Sequence, residues 1–273
     1  MKILDEAGFA VHMVGGGGMG VSHQTDSHTY ILDAGGEYAL IDAGSGIKPE
    51  MIRKNLERDG IDPARISTIL LTHSHWDHAR GCAFWKQATG AKVAAHEDAV
   101  ETLEKTLWSD LHLAQHGIGA SETKVDTRLR DGSRVKVGKL ELEVLHSHGH
   151  SPDSICLFTS FGSHRILFSG DTVFAEGGHG TVSADTDFKK YRASVKRLVQ
   201  YNATALLPGH RQFVLADGNE HVKLLDKKMS GRWTDVVATR VPFFPTWWLE
   251  HNPALYDDAR ESAALTGAPL ASK

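Results

Sequence analysis

The segment Thr72-His73-Ser74-His75-Trp76-Asp77-His78 gathers three imidazoles and one carboxylate into six consecutive residues, His73 to His78. Neutral imidazole nitrogen and carboxylate oxygen are the donors that zinc and other borderline divalent metals take at neutral pH, so this His-x-His-x-Asp-His pattern points to a metal centre. If the segment is extended, alternation aims His73, His75 and Asp77 to one side, and a tight turn would bring His78 round to the same cavity. The competing reading is a histidine-rich surface loop.

Such a cluster needs a rigid platform, and the flanking sequence offers one. Short apolar or alternating runs at residues 9–14, 29–32 and 38–41, punctuated by glycine and aspartate, read as hairpin strands. Residues 49–58 read as a helix with Pro49 in its first turn and Asp59-Gly60 as its stop. A strand at 67–71 then delivers the chain to the cluster. Beyond it we expect a short helix at 79–88, a strand at 92–95 and a longer helix at 97–115. Strands follow at 140–145, 155–159, 166–168 and 203–207, with a helix at 187–201 before the last and helices again after Asp217. Two strand-rich halves, each closed by helices, imply two sheets packed face to face with helices outside, because each sheet has an apolar face to bury.

The composition is that of a folded unit: 41% of the 273 residues are hydrophobic, 23% are charged, and there is no low-complexity run. The expected organisation is a domain at 1–216 with a C-terminal helical and aromatic extension, 217–273, packed on it. Thirty Lys and Arg against 34 Asp and Glu give a formal charge of −4 without a basic stripe, which argues against nucleic acid as substrate. The start, MKILDEAGFA, meets Asp5 and Glu6 before any apolar run, unlike a secretory leader, and no stretch reaches about eighteen apolar residues. A soluble cytoplasmic protein without membrane contact is the expectation. Cys82 and Cys156, each in apolar surroundings, read as buried reduced thiols.

The histidine cluster resembles the signature of the metallo-β-lactamase superfamily, and further motifs extend that resemblance over most of the chain. Ser147-His148-Gly149-His150-Ser151 resembles the turn that carries the family's third histidine, with His148 where proline is common. His150 is the match, by its preceding glycine and the Ser-Pro-Asp-Ser turn after it; His146 and His148 stay open as alternatives. Ser169-Gly170-Asp171-Thr172 resembles the turn of the bridging carboxylate, and Leu207-Pro208-Gly209-His210 that of the last ligand. An oxygen ligand at Asp171 leaves neither cysteine implied in coordination.

The resemblance therefore implies an α/β fold, a four-layer αββα sandwich of two mixed sheets, with two divalent ions. Zinc is the first choice, with iron or manganese as alternatives. His73, His75 and His150 would hold one ion, Asp77, His78 and His210 the other, with Asp171 between them and room for a bridging hydroxide. Asp42, in Leu40-Ile41-Asp42-Ala43-Gly44, resembles a carboxylate that the family places beneath the site to orient a ligand histidine. A plain strand-end turn is equally open for it.

Paired cations acidify bound water and polarise a carbonyl, so hydrolysis is the leading expectation. Asp77 would hold the nucleophile and pass a proton to the leaving group, and His179 would donate to a developing oxyanion. The expected substrate is a small, partly apolar ester, lactone or thioester. Alternatives are a β-lactam or other amide hydrolase, a mononuclear iron sulfur dioxygenase, or a non-catalytic metal-binding protein. Gly15, Gly17 and Gly20 spell Gly-x-Gly-x-x-Gly but precede no helix start, and are read as a flexible loop bordering the site. Pro242-Phe243-Phe244-Pro245-Thr246-Trp247-Trp248 would line an apolar pocket, form a homodimer contact or simply pack in the core.

Overall fold

Apolar runs without strict polar alternation need cover on both faces of a sheet. The computed structural model, which describes residues 1–105, 121–182 and 186–230, supplies that cover. Its first sheet takes β1 (Lys2–Glu6), β2 (Phe9–Gly15), β3 (Thr29–Asp33), β4 (Tyr38–Ile41), β5 (Ile66–Leu70), β6 (Lys92–His96) and β7 (Thr127–Leu129) in chain order. It is antiparallel from β1 to β4 and parallel from β4 to β7. The second contains β8 (Arg134–Val137), β9 (Leu140–His146), β10 (Ile155–Phe161), β11 (His164–Gly170) and β12 (Ala205–Pro208), in the order β12-β11-β10-β9-β8. Only its β11–β12 pair is parallel. The helices are α1 (Pro49–Arg58), α2 (Trp76–Ala79), α3 (Cys82–Thr89), α4 (Val100–Lys105), α5 (Phe188–Leu198) and α6 (Gly218–Ser230).

Period two along the strands sorts the apolar side chains into three layers. Ile31, Leu40, Ile69 and Val93 face Ile52 and Leu56 of α1 and Trp85 of α3. Their neighbours Leu32, Ile41 and Leu70 turn the other way, to meet Val144, Leu157 and Phe168 between the sheets. Leu145, Cys156, Leu167 and Leu206 then face Tyr191 and Val195 of α5 and Val222 and Leu225 of α6. The result is the expected αββα sandwich.

The differences from the sequence reading have local causes. β1, β7 and β8 are short and largely polar strands that carry no apolar run to announce them. The helix expected over 79–88 is two pieces, α2 and α3, because the chain at Gly81 lies against the first sheet. A Cβ on Gly81 would collide with the Ala43 carbonyl oxygen, while its N–H donates to Gly44 O. Asp77 is not on an extended segment: His78 and Ala79 N–H both donate to His75 O, closing a helical turn from Trp76. The helix expected over 97–115 begins as a 3-10 turn, Glu97–Ala99, followed by α4; residues 106–115 lie outside the described residues. So does most of the expected extension, including Pro242 to Trp248. Within the described part, α6 buries Val222, Leu225 and Met229 against the second sheet.

Cys82 and Cys156 are free, buried and in separate cores. Burial pushes both thiols up, Cys156 to about 11. Among the described residues no helix is long and apolar enough to cross a membrane.

Phe168 is fully buried between the sheets. Phe168→Ala is expected to lower the unfolding free energy by about 3–5 kcal/mol, read as an earlier denaturant midpoint. A change below about 1 kcal/mol would show that the inter-sheet core re-closes around the gap.

Candidate metal centre

β4, β5, β9, β11 and β12 all end at one edge of the sandwich, and their C-terminal ends carry the candidate residues. Asp42 follows β4, His73 to His78 follow β5, His150 follows β9, Asp171 follows β11 and His210 follows β12. Two donor triads form there, His73 with His75 and His150, and Asp77 with His78 and His210. Within the first, His75 Nδ1 lies 3.1 Å from His73 Nε2 and 2.9 Å from His150 Nε2. In the second, His210 Nε2 is 3.2 Å from His78 Nε2 and 3.1 Å from Asp77 Oδ2. Asp171 stands between them, Oδ1 3.4 Å from His78 Nε2 and Oδ2 3.6 Å from His150 Nε2 and 3.7 Å from His210 Nε2. Gly209 is required by this closeness, since a Cβ there would meet Asp171 Oδ1 and the His78 ring.

Hydrogen bonds from behind aim these rings. His78 Nδ1 donates to Asp42 Oδ2 at 2.8 Å, and His150 Nδ1 donates to Thr181 O at 2.8 Å. Thr72 Oγ1 donates to Asp42 Oδ2 at 2.8 Å and faces His73 Nδ1 at 3.1 Å. With Nδ1–H spent, each of the three rings turns an Nε2 lone pair inward. Asp42 is 2% exposed and holds a left-handed backbone, φ 58, while its Oδ1 also accepts from Thr72 N. It therefore acts as the orienting carboxylate of the two readings open from sequence. On the other strand end, Tyr30 Oη and His28 Nδ1 both donate to Pro208 O, and His28 N–H donates to Gly209 O, fixing the turn that presents His210.

The donors demand positive charge. Burial opposes a proton on His78, but Asp77, Asp171 and Asp42 outweigh it and raise the ring to about 10. Burial and the neighbouring rings push His73 far below the usual histidine range and His75 to about 4. Burial would raise Asp77, yet His78 and His210 hold it well below the usual carboxylate range. Asp171 Oδ1 is buried without a hydrogen-bond partner among the described residues. Inward lone pairs, an orphaned carboxylate oxygen and an unmet demand for positive charge fit divalent cations, and the donor set fits zinc.

His146 and His148, the alternatives to His150, lie elsewhere. His146 Nε2 donates to Pro152 O and its ring stacks on His96, centroids 4.0 Å apart and planes within 20°. His96, Asp98 and His146 form a further donor group, but nearly parallel rings carry their lone pairs in parallel planes, which do not converge on one ion. His179 lies on the cavity wall, donates Nδ1–H to Gly180 O and is kept neutral by burial. The nitrogen it has left for a substrate is an acceptor, so an oxyanion role requires the ring to gain a proton. Gly15, Gly17 and Gly20 are not among the residues that line the cavity; the segment after them meets the cluster at Ser27, whose N–H donates to Asp77 O, and the Asp26 carboxylate ties it to Ser22 and Ser45.

Asp153 went unread in the sequence as anything but a turn residue. Buried at 4% exposure, it accepts from Ser74 N at 2.7 Å and so braces the histidine cluster; only the folded topology brings it there.

A family model for the metallo-beta-lactamase superfamily matches residues 24–210, a span that includes every candidate ligand. The chain belongs to that superfamily. It is a metallohydrolase superfamily, and the fold and the His and Asp donor groups of this chain accord with it. A hydroxyacylglutathione hydrolase of Polaromonas sp. is 34% identical over 167 residues, 60% of this chain and 56% of that protein. An atrochrysone carboxyl ACP thioesterase of Aspergillus fumigatus is 28% identical over 202 residues, 71% of this chain and 54% of that protein. The chain thus spans a little over half the length of these relatives. The FEZ-1 metallo-beta-lactamase of Legionella gormanii shares the fold, with a TM-score of 0.64 at 19% identity over 80% of this chain and 92% of that one.

Asp42→Ala removes the acceptor of His78 Nδ1–H and of Thr72. Zinc affinity, measured by competition with a chromophoric chelator, is expected to fall about 10–100-fold. Affinity within twofold of the parent would remove Asp42 from the orienting role.

Proposed function

We propose that this chain is a dinuclear metallohydrolase acting on a thioester, or a related ester or lactone, of a small and partly apolar substrate. The observation that carries the reading is the pair of donor triads sharing Asp171, whose Oδ1 is buried and unpartnered. In this proposal His73, His75 and His150 would hold one cation and Asp77, His78 and His210 the second, with Asp171 lying between the two groups. Bound there, two divalent cations, zinc by preference, would make a water nucleophilic at neutral pH and polarise the scissile carbonyl.

The chain's own residues do the rest. Asp77 faces the cavity beside His75 and Trp76 and stays ionised, so its carboxylate can accept a hydrogen bond from the attacking water and carry the proton to the leaving group. Trp76 and Phe174 give the cavity apolar walls. A thioester stands first because two relatives of this chain are named hydroxyacylglutathione hydrolase and atrochrysone carboxyl ACP thioesterase.

Elemental analysis should find two zinc equivalents per chain, and the loaded protein should cleave aryl esters, lactones or thioesters under anaerobic conditions. One iron per chain with oxygen uptake would overturn the hydrolase reading. Asp77→Asn should keep the parent's thermal midpoint within a few degrees while kcat falls by about 10²-fold or more. Near-parental turnover in that variant would take the proton relay away from Asp77.

A further inference from the structure

The cavity in front of the cluster has a volume of about 570 Å³, and its charged lining is uneven. Asp77 and Asp171 belong to the donor triads. Arg211 is the one lysine or arginine among the described residues that line the cavity. It follows His210 directly, so whatever it holds is placed next to the cluster without occupying it.

Arg211 is held in position from two directions. Its backbone is left-handed, φ 67, a conformation that is strained for a residue with a side chain and persists where the surroundings impose it. Its guanidinium carbon lies 5.4 Å from the centroid of the Phe174 ring, and that ring packs against His210 with centroids 6.1 Å apart. On the other side the guanidinium runs along Gly178, where a Cβ would come within 3.3 Å of Nη1. A guanidinium seated on an aromatic ring keeps the N–H donors of its planar fork at the edge. No carboxylate among the described residues forms an ion pair with it. An oriented, exposed cation whose fork meets no carboxylate among the described residues, on the wall of a partly apolar cavity, is matched by a planar anion offering two coplanar oxygens.

We propose that Arg211 binds a carboxylate of the substrate remote from the scissile bond, so that the preferred substrates are acidic thioesters or esters; this rests on the hydrolase reading above. The carboxylate docks on the guanidinium, the apolar linker lies along Phe174 and Trp76, and the scissile carbonyl reaches the cluster. Arg211 is thereby the residue that selects acidic substrates over neutral ones of equal size.

The test compares isosteric twins. N-acetylcysteamine thioesters of succinate and glutarate are set against the same compounds with the free carboxylate converted to carboxamide, and a second pair places the carboxylate on the thiol. The parent should prefer one acid over its amide twin by at least tenfold in kcat/KM. Arg211→Gln should bring that ratio to within threefold of unity, and Arg211→Lys should restore part of it. A parent with no such preference in any pair, or a ratio that Arg211→Gln leaves unchanged, overturns the proposal. Calorimetry with the non-hydrolysable thioether of the preferred acid and its amide twin gives a readout independent of turnover. Tighter binding of the acid that disappears in Arg211→Gln supports the anion site even if no thioester is cleaved, in which case the hydrolase reading fails alone. Equal binding of the twins by the parent overturns the site.

Discussion

Seven donor side chains crowd one end of the sandwich, with His73, His78, His150 and Asp171 buried and the rest facing the cavity, and keeping so many polar groups that close is what the rest of the fold must do. Several donors are held from behind. Asp42 grips His78 and Thr72, the Thr181 carbonyl takes the Nδ1 proton of His150, Asp153 pins the backbone at Ser74, and His28 with Tyr30 secures the turn before His210. The apolar layers on both faces of each sheet fix the strand ends from which these groups project. Left-handed backbone at Asp42 and at Arg211 is part of the same pattern, local strain kept because packing imposes it.

Much of this was legible before folding because the chemistry and the punctuation coincide. Strands covered on both faces are mostly apolar, so β3, β4, β5 and β10 announce themselves, β9 does so by alternating leucine with glutamate, and α1 falls at 49–58 between Pro49 and Asp59-Gly60 as its end signals require. β1, β7 and β8 carry no such signal, since KILDE, TRL and RVKV owe their strand state to a neighbour. Within the site, the ligand types and their spacing were readable, but the helical turn at Trp76–Ala79 was not. That turn arises when His78 and Ala79 satisfy the His75 carbonyl, a choice hidden in a segment that alternation would leave extended. Asp153 and Arg211 were unreadable for a different reason. Their neighbours mark only a Ser-Pro-Asp-Ser turn for Asp153 and the end of a ligand turn for Arg211, and each gains its meaning from partners far away in sequence, Ser74 for one and Phe174 for the other.

The electrostatics of the cluster and of the cavity are of opposite kinds. At the cluster, carboxylates outweigh the available protons, so His78 is driven toward a charge that burial resists. At the cavity wall, Arg211 is a permanent cation in contact with an aromatic face. A substrate entering between them meets a gradient of character across a few side chains, with an apolar floor of Trp76 and Phe174 linking its two ends. Orientation can follow from this arrangement without any moving part.

Each donor triad draws two members from the first sheet and one from the second: His73 and His75 with His150, Asp77 and His78 with His210. An ion in either triad would be a rivet through the seam between the sheets, fastening layers that otherwise meet only through apolar contact and a few bonds such as Tyr30 to Pro208. Loading the site would then stiffen the register of one sheet on the other as well as arm the chemistry, and a chelator would act on the architecture and the reactivity at once.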